Sequence, residues 1–377
     1  MNATMPRLSK PIVYAEQACA TMMRKFDAAE LPPRGHFHYH QGVFLSGMYQ
    51  TYLLTGNEAY QRYIKRWVDS VFDEHARIRQ YDHADLDDIQ PGILLYPLLD
   101  YTQDDFYRKA IESVAAQLPD IPRNVCGGFD HKVSLPGQMW LDGLYMSGPF
   151  MAEYAAKFDR PDLRELVIGQ ALLMEQKTRD PNTGLLYHAW DSTRQAPWAN
   201  PATGRAPEFW GRSIGWVPVA VLDDLDWIDP ALPGYAALAR LVKNLLTAVC
   251  CFQSGEGRWY QVVNKGSQPG NWLENSCSCL FVAGICKAVC KGILPPEYAH
   301  CAAKGFAGVI HSLTYRGDEL LLGQVCVGTG VGDYDYYCKR PVSTNDLHGM
   351  GAFLLMCTAM QRLQEFDPAA VKELCSK

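Results

Sequence analysis

The chain has no apolar run of the roughly 18 residues that a membrane-spanning helix needs. Met1 to Lys10 carries no apolar segment of the kind that directs export, so no secretory signal is expected and a cytoplasmic location is. No cluster of basic residues resembles a polyanion-binding tail, and a formal net charge of -6 gives no pull toward nucleic acid. There is no CxxC pair, and the 13 cysteines are an odd number in a chain without an export signal, which favours reduced thiols over disulfides. Cys277, Cys279, Cys286 and Cys290 are close enough to suggest zinc. However, Cys279, Cys286 and Cys290 fall at i, i+7 and i+11 in an apolar stretch, which describes a buried helix face. No metal or other cofactor is expected, nor a nucleic-acid or membrane partner.

Alternating strand patterns are also nearly absent. In their place is a recurring unit: a helix apolar on every side, a short turn, then an amphipathic helix. Gln41 to Leu54 with Glu58 to Phe72 is one copy, and Ile89 to Leu99 with Asp104 to Leu118 is the second. Gln138 to Phe158 with Asp162 to Gln176, Phe209 to Trp227 with Pro233 to Cys251, and Trp272 to Gly292 with Pro295 to Ile310 follow. An apolar helix, Asp346 to Leu363, has no partner after it, and an amphipathic one, Pro11 to Ala28, has none before it. Joining those two closes a ring of six pairs. Helices apolar all round are buried, and helices with one apolar stripe lie outside. The sequence therefore predicts an all-α (α/α)6 barrel of six inner and six outer helices, with residues 1–377 as one domain. An open helical solenoid is the rival, but it would need polar capping repeats at its ends.

Loop lengths indicate the working face. Turns from inner to outer helix are short, whereas the returns Pro119 to Gly137, Lys177 to Glu208, Phe252 to Asn271 and His311 to Thr344 are long. Long irregular connections in a compact fold are usually functional. All of them enter inner helices at their N-termini, whose free N–H groups and positive dipole ends would gather on one face and suit a carboxylate.

Chemistry-bearing residues cluster at those N-termini. Asp87 and Asp88 stand where N-caps belong, and capping accounts for at least one of them. Asp142 follows the apolar run Met139-Trp140-Leu141 at the start of a helix that should be buried, where a carboxylate needs a partner or a shifted pKa. Trp210, Arg212 and Trp216 fit either packing or a clamp on a sugar ring and its carboxylate. Lys132 follows His131, and His188 follows a turn at Asn182-Thr183-Gly184; a loop histidine is more often structural than catalytic. The glycines between Cys326 and Gly332 lack the strand-then-helix setting of a nucleotide loop.

The chain resembles the unsaturated rhamnogalacturonyl hydrolases, glycoside hydrolase family 105, over nearly its whole length. The matching segments are Leu86 to Gly92, Leu141 to Met146, Phe209-Trp210 through Gly215-Trp216, Asn271 to Glu274, and Tyr336-Tyr337 with Pro341 to Gly351. The resemblance implies an (α/α)6 barrel, no metal, an oligosaccharide substrate, and Asp142 at the general acid/base position. It places Tyr39, Asp87, Lys132, His188, Trp210, Arg212 and Trp216 at substrate-contacting positions, with Asp88 the alternative to Asp87 by a one-residue shift. Phe37 stands where the family commonly has tryptophan.

In that family the non-reducing sugar carries a C4=C5 double bond, and hydrolysis begins by hydrating it. Asp142 would protonate C4 and, as carboxylate, take a proton from the water attacking C5, a cycle that a raised pKa would favour. Two other enzymes share the architecture: an unsaturated glucuronyl hydrolase acting on other lyase products, and a sugar 2-epimerase-like isomerase, which would need paired histidines. A conventional inverting glycosidase would instead pair Asp87 or Asp88 with Asp142. Fold alone separates none of these.

Overall fold

The computed structural model describes residues 9–80 and 85–366. Its helices are α1 (Pro11–Lys25), α2 (Tyr39–Thr55), α3 (Glu58–Val71), α4 (Leu95–Thr102), α5 (Asp105–Ala115), α6 (Asp142–Lys157) and α7 (Pro161–Thr178). They continue with α8 (Gly211–Asp224), α9 (Pro233–Cys250), α10 (Asn275–Cys290), α11 (Ala299–His311), the short α12 (Tyr334–Cys338) and α13 (Leu347–Phe366).

Helices α2, α4 with the 3-10 segment before it, α6, α8, α10 and α13 pack in that order, and α13 returns to α2, so the inner ring closes. The expected six-and-six barrel is the observed one. Its physical basis is visible in burial. In α6 every residue from Asp142 to Ala155 is buried, whereas α3 buries one stripe containing Tyr60, Tyr63, Ile64, Trp67, Val68 and Val71. Small residues let the inner helices approach closely. A Cβ on Gly351 of α13 would lie 2.5 Å from the Val43 backbone of α2, so the ring's first and last helices meet backbone to backbone there.

Turn chemistry fixes the short connections. Gly56 ends α2 in the left-handed region at φ +66°, and the Asn57 side chain accepts the Ala59 N–H to start α3. One two-residue turn thus stops an inner helix and starts its outer partner.

Two local expectations are corrected. The helix read over Ile89 to Leu99 begins as a 3-10 turn, Gln90–Leu94, and becomes α-helical only from Leu95. Pro91 has no N–H to give and Gly92 is a poor helix former, so the segment tightens before it propagates. The helices expected from Gln138, Phe209 and Trp272 start later, at Asp142, Gly211 and Asn275. Short strands precede α6 and α10: β1 (Gln138–Trp140) pairs with β2 (Ala189–Asp191), and β3 (Trp259–Tyr260) pairs with β4 (Leu273–Glu274). A hairpin, β5 (Thr314–Arg316) with β6 (Glu319–Leu321), and a further antiparallel pair, β7 (Val325–Cys326) with β8 (Val342–Ser343), lie in the last long return. Ladders of two or three residues are too short to show as alternation in sequence, yet they lay the long returns across the inner-helix N-termini.

No helix among the described residues is long and apolar enough to cross a membrane. The described cysteines are all free; Cys279 and Cys286 are buried on α10 as their spacing predicted, whereas Cys290, the last residue of the helix, is half-buried.

Candidate active site

Asp142 is the first residue of α6, and its side chain does not cap its own helix. Instead Oδ2 lies 3.1 Å from His188 Nε2, and His188 Nδ1 lies 2.6 Å from the Tyr337 hydroxyl. Proton roles follow from the ends of this chain. The Gly332 N–H donates to the Tyr337 oxygen at 3.1 Å, which leaves the phenol's own proton for His188 Nδ1. His188, with Nδ1 accepting, carries its proton on Nε2 and donates it to Asp142. Burial holds the Tyr337 phenol far above its usual range, so it remains a donor throughout neutral pH.

This chain reverses one expectation. Burial pushes the Asp142 carboxyl upward, but the His188 hydrogen bond and the charges of His188, His131 and Arg212 outweigh it and bring the group below its ordinary value. Asp142 therefore rests as a carboxylate, not as the standing acid that a buried aspartate suggested. Tyr337→Phe tests the chain. Without the phenol His188 donates less firmly, the Asp142 pKa rises, and the acid limb of kcat/KM moves to higher pH. The loss in kcat should stay below the roughly 100-fold that marks removal of an acid/base group itself. An unmoved acid limb would show that Tyr337 serves only packing.

Asp87 lies in the 3-10 turn Leu86–Asp88 and is buried, whereas Asp88 is half-exposed. Lys132 Nζ donates to Asp87 Oδ2 at 2.6 Å, His131 Nε2 is 3.6 Å from Oδ1, and His38 Nε2 is 4.0 Å from Oδ2. Burial would raise this carboxyl; His131, Lys132 and His38 overcome it and hold it at about 2. Burial also lowers the His131 pKa, so at neutral pH the permanent cation beside Asp87 is Lys132. Because the folded pKa is depressed, Asp87 contributes stability that is present above about pH 4 and lost as pH falls toward 2. The contribution is on the order of 2 kcal/mol. Asp87→Asn should flatten that part of the acid-unfolding curve; an unchanged curve would remove Asp87 from the linkage.

Arg212, the second residue of α8, is buried. Its Nη1 donates to the Cys326 carbonyl at 2.6 Å and to Ser276 Oγ at 3.3 Å, and Nη2 donates to the Val327 carbonyl at 2.8 Å. Glu274 Oε1 is 3.9 Å away, and the guanidinium lies 4.5 Å over the Trp210 ring. Three of five donors are thus spent on the protein, leaving Nε–H and one Nη2–H. Trp210 also contacts His188 and stacks on Tyr337 with ring centroids 5.8 Å apart, and its buried Nε1 has no hydrogen-bond partner. Tyr39, half-buried at the start of α2, has Asp87, Arg212 and Asp142 as charged neighbours. Asp142, Asp87, Lys132, His188, Trp210, Arg212 and Tyr39 are therefore brought together. Trp216 is not: six residues further along α8, it stacks on Tyr145 at 4.6 Å in the main hydrophobic core. Phe37 likewise stacks on Trp67 and is buried.

Three participants were not singled out from sequence. His131 stacks on Trp140 at 4.4 Å beside Asp87, Tyr337 anchors His188, and Glu274 sets the loop that Arg212 grips. Each lies inside a segment that carried the resemblance or next to a candidate, but no local spacing distinguishes it.

The model of Glycosyl Hydrolase Family 88 matches residues 14–364. A glycoside hydrolase of family 105 from Clostridium acetobutylicum superposes with a TM-score of 0.87 at 30% identity, over 93% of this chain and 99% of that one. The unsaturated rhamnogalacturonyl hydrolase YesR of Bacillus subtilis is 29% identical over 297 residues, 77% of this chain and 79% of YesR. A 24.9 kDa protein of the Rhizobium radiobacter picA locus is 31% identical over 226 residues, 56% of this chain and 96% of the relative. With the closed helical barrel and the carboxylates gathered at its inner N-termini, these likenesses make the chain a glycoside hydrolase of the family 88/105 group.

Proposed function

We propose that this enzyme removes a 4,5-unsaturated galacturonic acid from the non-reducing end of rhamnogalacturonan-derived, hence pectin-derived, oligosaccharides, by hydrating the C4=C5 bond. The observation that carries the reading is the division between the two buried carboxylates. Asp87 is fixed as an anion by Lys132 at 2.6 Å, whereas Asp142 is paired, among the described residues, only with the His188 imidazole, at 3.1 Å. A conventional inverting pair needs one carboxyl kept protonated by a raised pKa. Here both pKa values are depressed, so neither group is a standing acid.

A single alternating group suits the hydration route. Docking the substrate's own carboxylate near Asp142 adds a like charge and excludes water, and both effects raise its pKa. Asp142 then delivers a proton to C4, water bonds to C5, and the Asp142 carboxylate takes the water's proton. The resulting hemiketal opens and releases the remaining sugar. Tyr39, Trp210 and the two free donors of Arg212 supply the wall and the carboxylate contact, and Lys132 with Asp87 orients the water. Free cysteines throughout the described chain support action in a reducing, cytoplasmic setting.

The test is the loss of enoate absorbance with a lyase-generated rhamnogalacturonan disaccharide, beside glycosaminoglycan fragments and saturated oligosaccharides. Turnover of the rhamnogalacturonan product with solvent deuterium at C4 is the expected result. Faster turnover of a glycosaminoglycan fragment would reassign the substrate, and oxygen-18 from water at the anomeric carbon would replace hydration by ordinary displacement.

A further inference from the structure

Beside the catalytic cluster, where α2 meets α13, His40, Asp346 and His348 each turn one ligand-type atom toward the others, all within 4.8 Å. Their outer hydrogen bonds settle which nitrogen of each ring keeps a lone pair. His348 is fully buried, and its Nε2 lies 3.0 Å from the Cys326 carbonyl, which can only accept, so the proton is on Nε2. Its Nδ1 then presents a lone pair 2.7 Å from Asp346 Oδ1, and this buried nitrogen has no hydrogen-bond partner of acceptable geometry. His38 Nδ1 accepts the His40 backbone N–H, capping α2, so the 3.0 Å contact between His40 Nδ1 and His38 Nδ1 requires the proton on His40. That leaves the His40 lone pair on Nε2.

Two imidazole lone pairs and a carboxylate oxygen thus converge, with each ring's far nitrogen fixed by a carbonyl or a second histidine. Facing lone pairs repel at such distances unless a positive species sits between them. Outer hydrogen bonds of this kind are the usual means of orienting histidine ligands. The surrounding charge has the matching sign, since Asp87, Asp142, Glu274 and Asp346 outnumber Arg212 and Lys132.

We propose that His40, Asp346 and His348 form a binding site for a divalent first-row transition cation of the zinc type. Two nitrogens and one carboxylate oxygen suit zinc or cobalt, whereas magnesium and calcium prefer all-oxygen sites. Bonds of about 2.0 to 2.2 Å require the 2.7 Å pair to open by a few tenths of an ångström, which a rotation of the half-exposed Asp346 supplies. The ion would tie the first inner helix to the last, at the seam where the two ends of the chain close the ring. The site stands independently of the substrate assigned above.

The test uses the full chain, stripped with a chelator, in a background with the exposed thiols removed by Cys126→Ser and Cys251→Ser. Zinc chloride titrated calorimetrically should bind at one equivalent per chain and raise the thermal midpoint, because only the folded protein assembles the site. Cobalt chloride should give a spectrum without a thiolate charge-transfer band. Asp346→Asn and the milder His40→Gln should abolish the equivalent. His38→Phe, which spares all three ligands but frees the His40 tautomer, should weaken it roughly 10- to 100-fold. Absence of a saturable equivalent would mean that a proton on His348 Nδ1 relieves the contact instead, and would overturn the site. Undiminished binding in folded His40→Gln, or a thiolate band with cobalt, would also overturn it.

Discussion

Asp142→Asn is expected to reduce kcat by roughly 100- to 10,000-fold, toward the upper end because one group serves both proton transfers, while substrate affinity and thermal midpoint stay close to those of the parent. The amide is nearly isosteric and still accepts the His188 Nε2–H at the position now 3.1 Å away. It cannot give a proton to C4 or take one from water. Stopped-flow loss of enoate absorbance measures the rate, and equilibrium binding of the unsaturated disaccharide to the variant measures affinity. Asp87→Asn should cost less, since its carboxylate is committed to Lys132 and acts on the water's position rather than its proton. The reverse order, with Asp142→Asn near normal and Asp87→Asn dead, would assign the acid/base role to the other carboxylate.

Arg212→Met carries the largest expected effect on stability. It leaves Glu274, fully buried and 3.9 Å from the guanidinium, without its cation, and takes a donor from each of the Cys326 and Val327 carbonyls. Breaking a buried pair by removing one partner costs about 3 to 5 kcal/mol. Hydrogen bonds to Glu274 from Ser276, Cys277 N–H and Cys326 N–H place the cost toward the lower end of that range. The readout is the thermal midpoint, against Lys339→Met in an exposed pair with Asp335, which should leave it nearly unchanged. Arg212→Lys separates the two roles of this residue. It keeps the charge but loses the fork, so it should retain most of the stability while raising KM for the unsaturated substrate. Unchanged kinetics in Arg212→Lys would confine Arg212 to holding the loop.

The two variants also show how far the site can be read from sequence. Asp142, Asp87, Lys132, His188, Trp210 and Arg212 could be named in advance because each sits at an inner-helix N-terminus or in a long return, and Tyr39 could be named from the resemblance. Trp216 was named with them as either packing or part of a sugar clamp, and its place in the core against Tyr145 follows from a six-residue separation that carries it past the mouth of α8. Tyr337 could not be singled out, because it meets His188 across 149 residues of chain.

The sequence alone determined the barrel and the face on which the candidate site residues gather. Apolar residues on every side of six helices and on one stripe of the others leave few ways to remove hydrophobic surface from water, and that pattern is local and periodic. What the tertiary structure decided was the state of each group. The proton on His188, the anionic form of Asp142, the separation of Asp87 from Asp88 and the commitment of Arg212 to Cys326 and Val327 are set by contacts of 2.6 to 3.1 Å between distant segments. A periodic pattern places a residue on a face to within a few ångströms. Hydrogen bonds weaken steeply over a fraction of one ångström, and the sign of a buried carboxylate's pKa shift is a small difference between desolvation and those bonds.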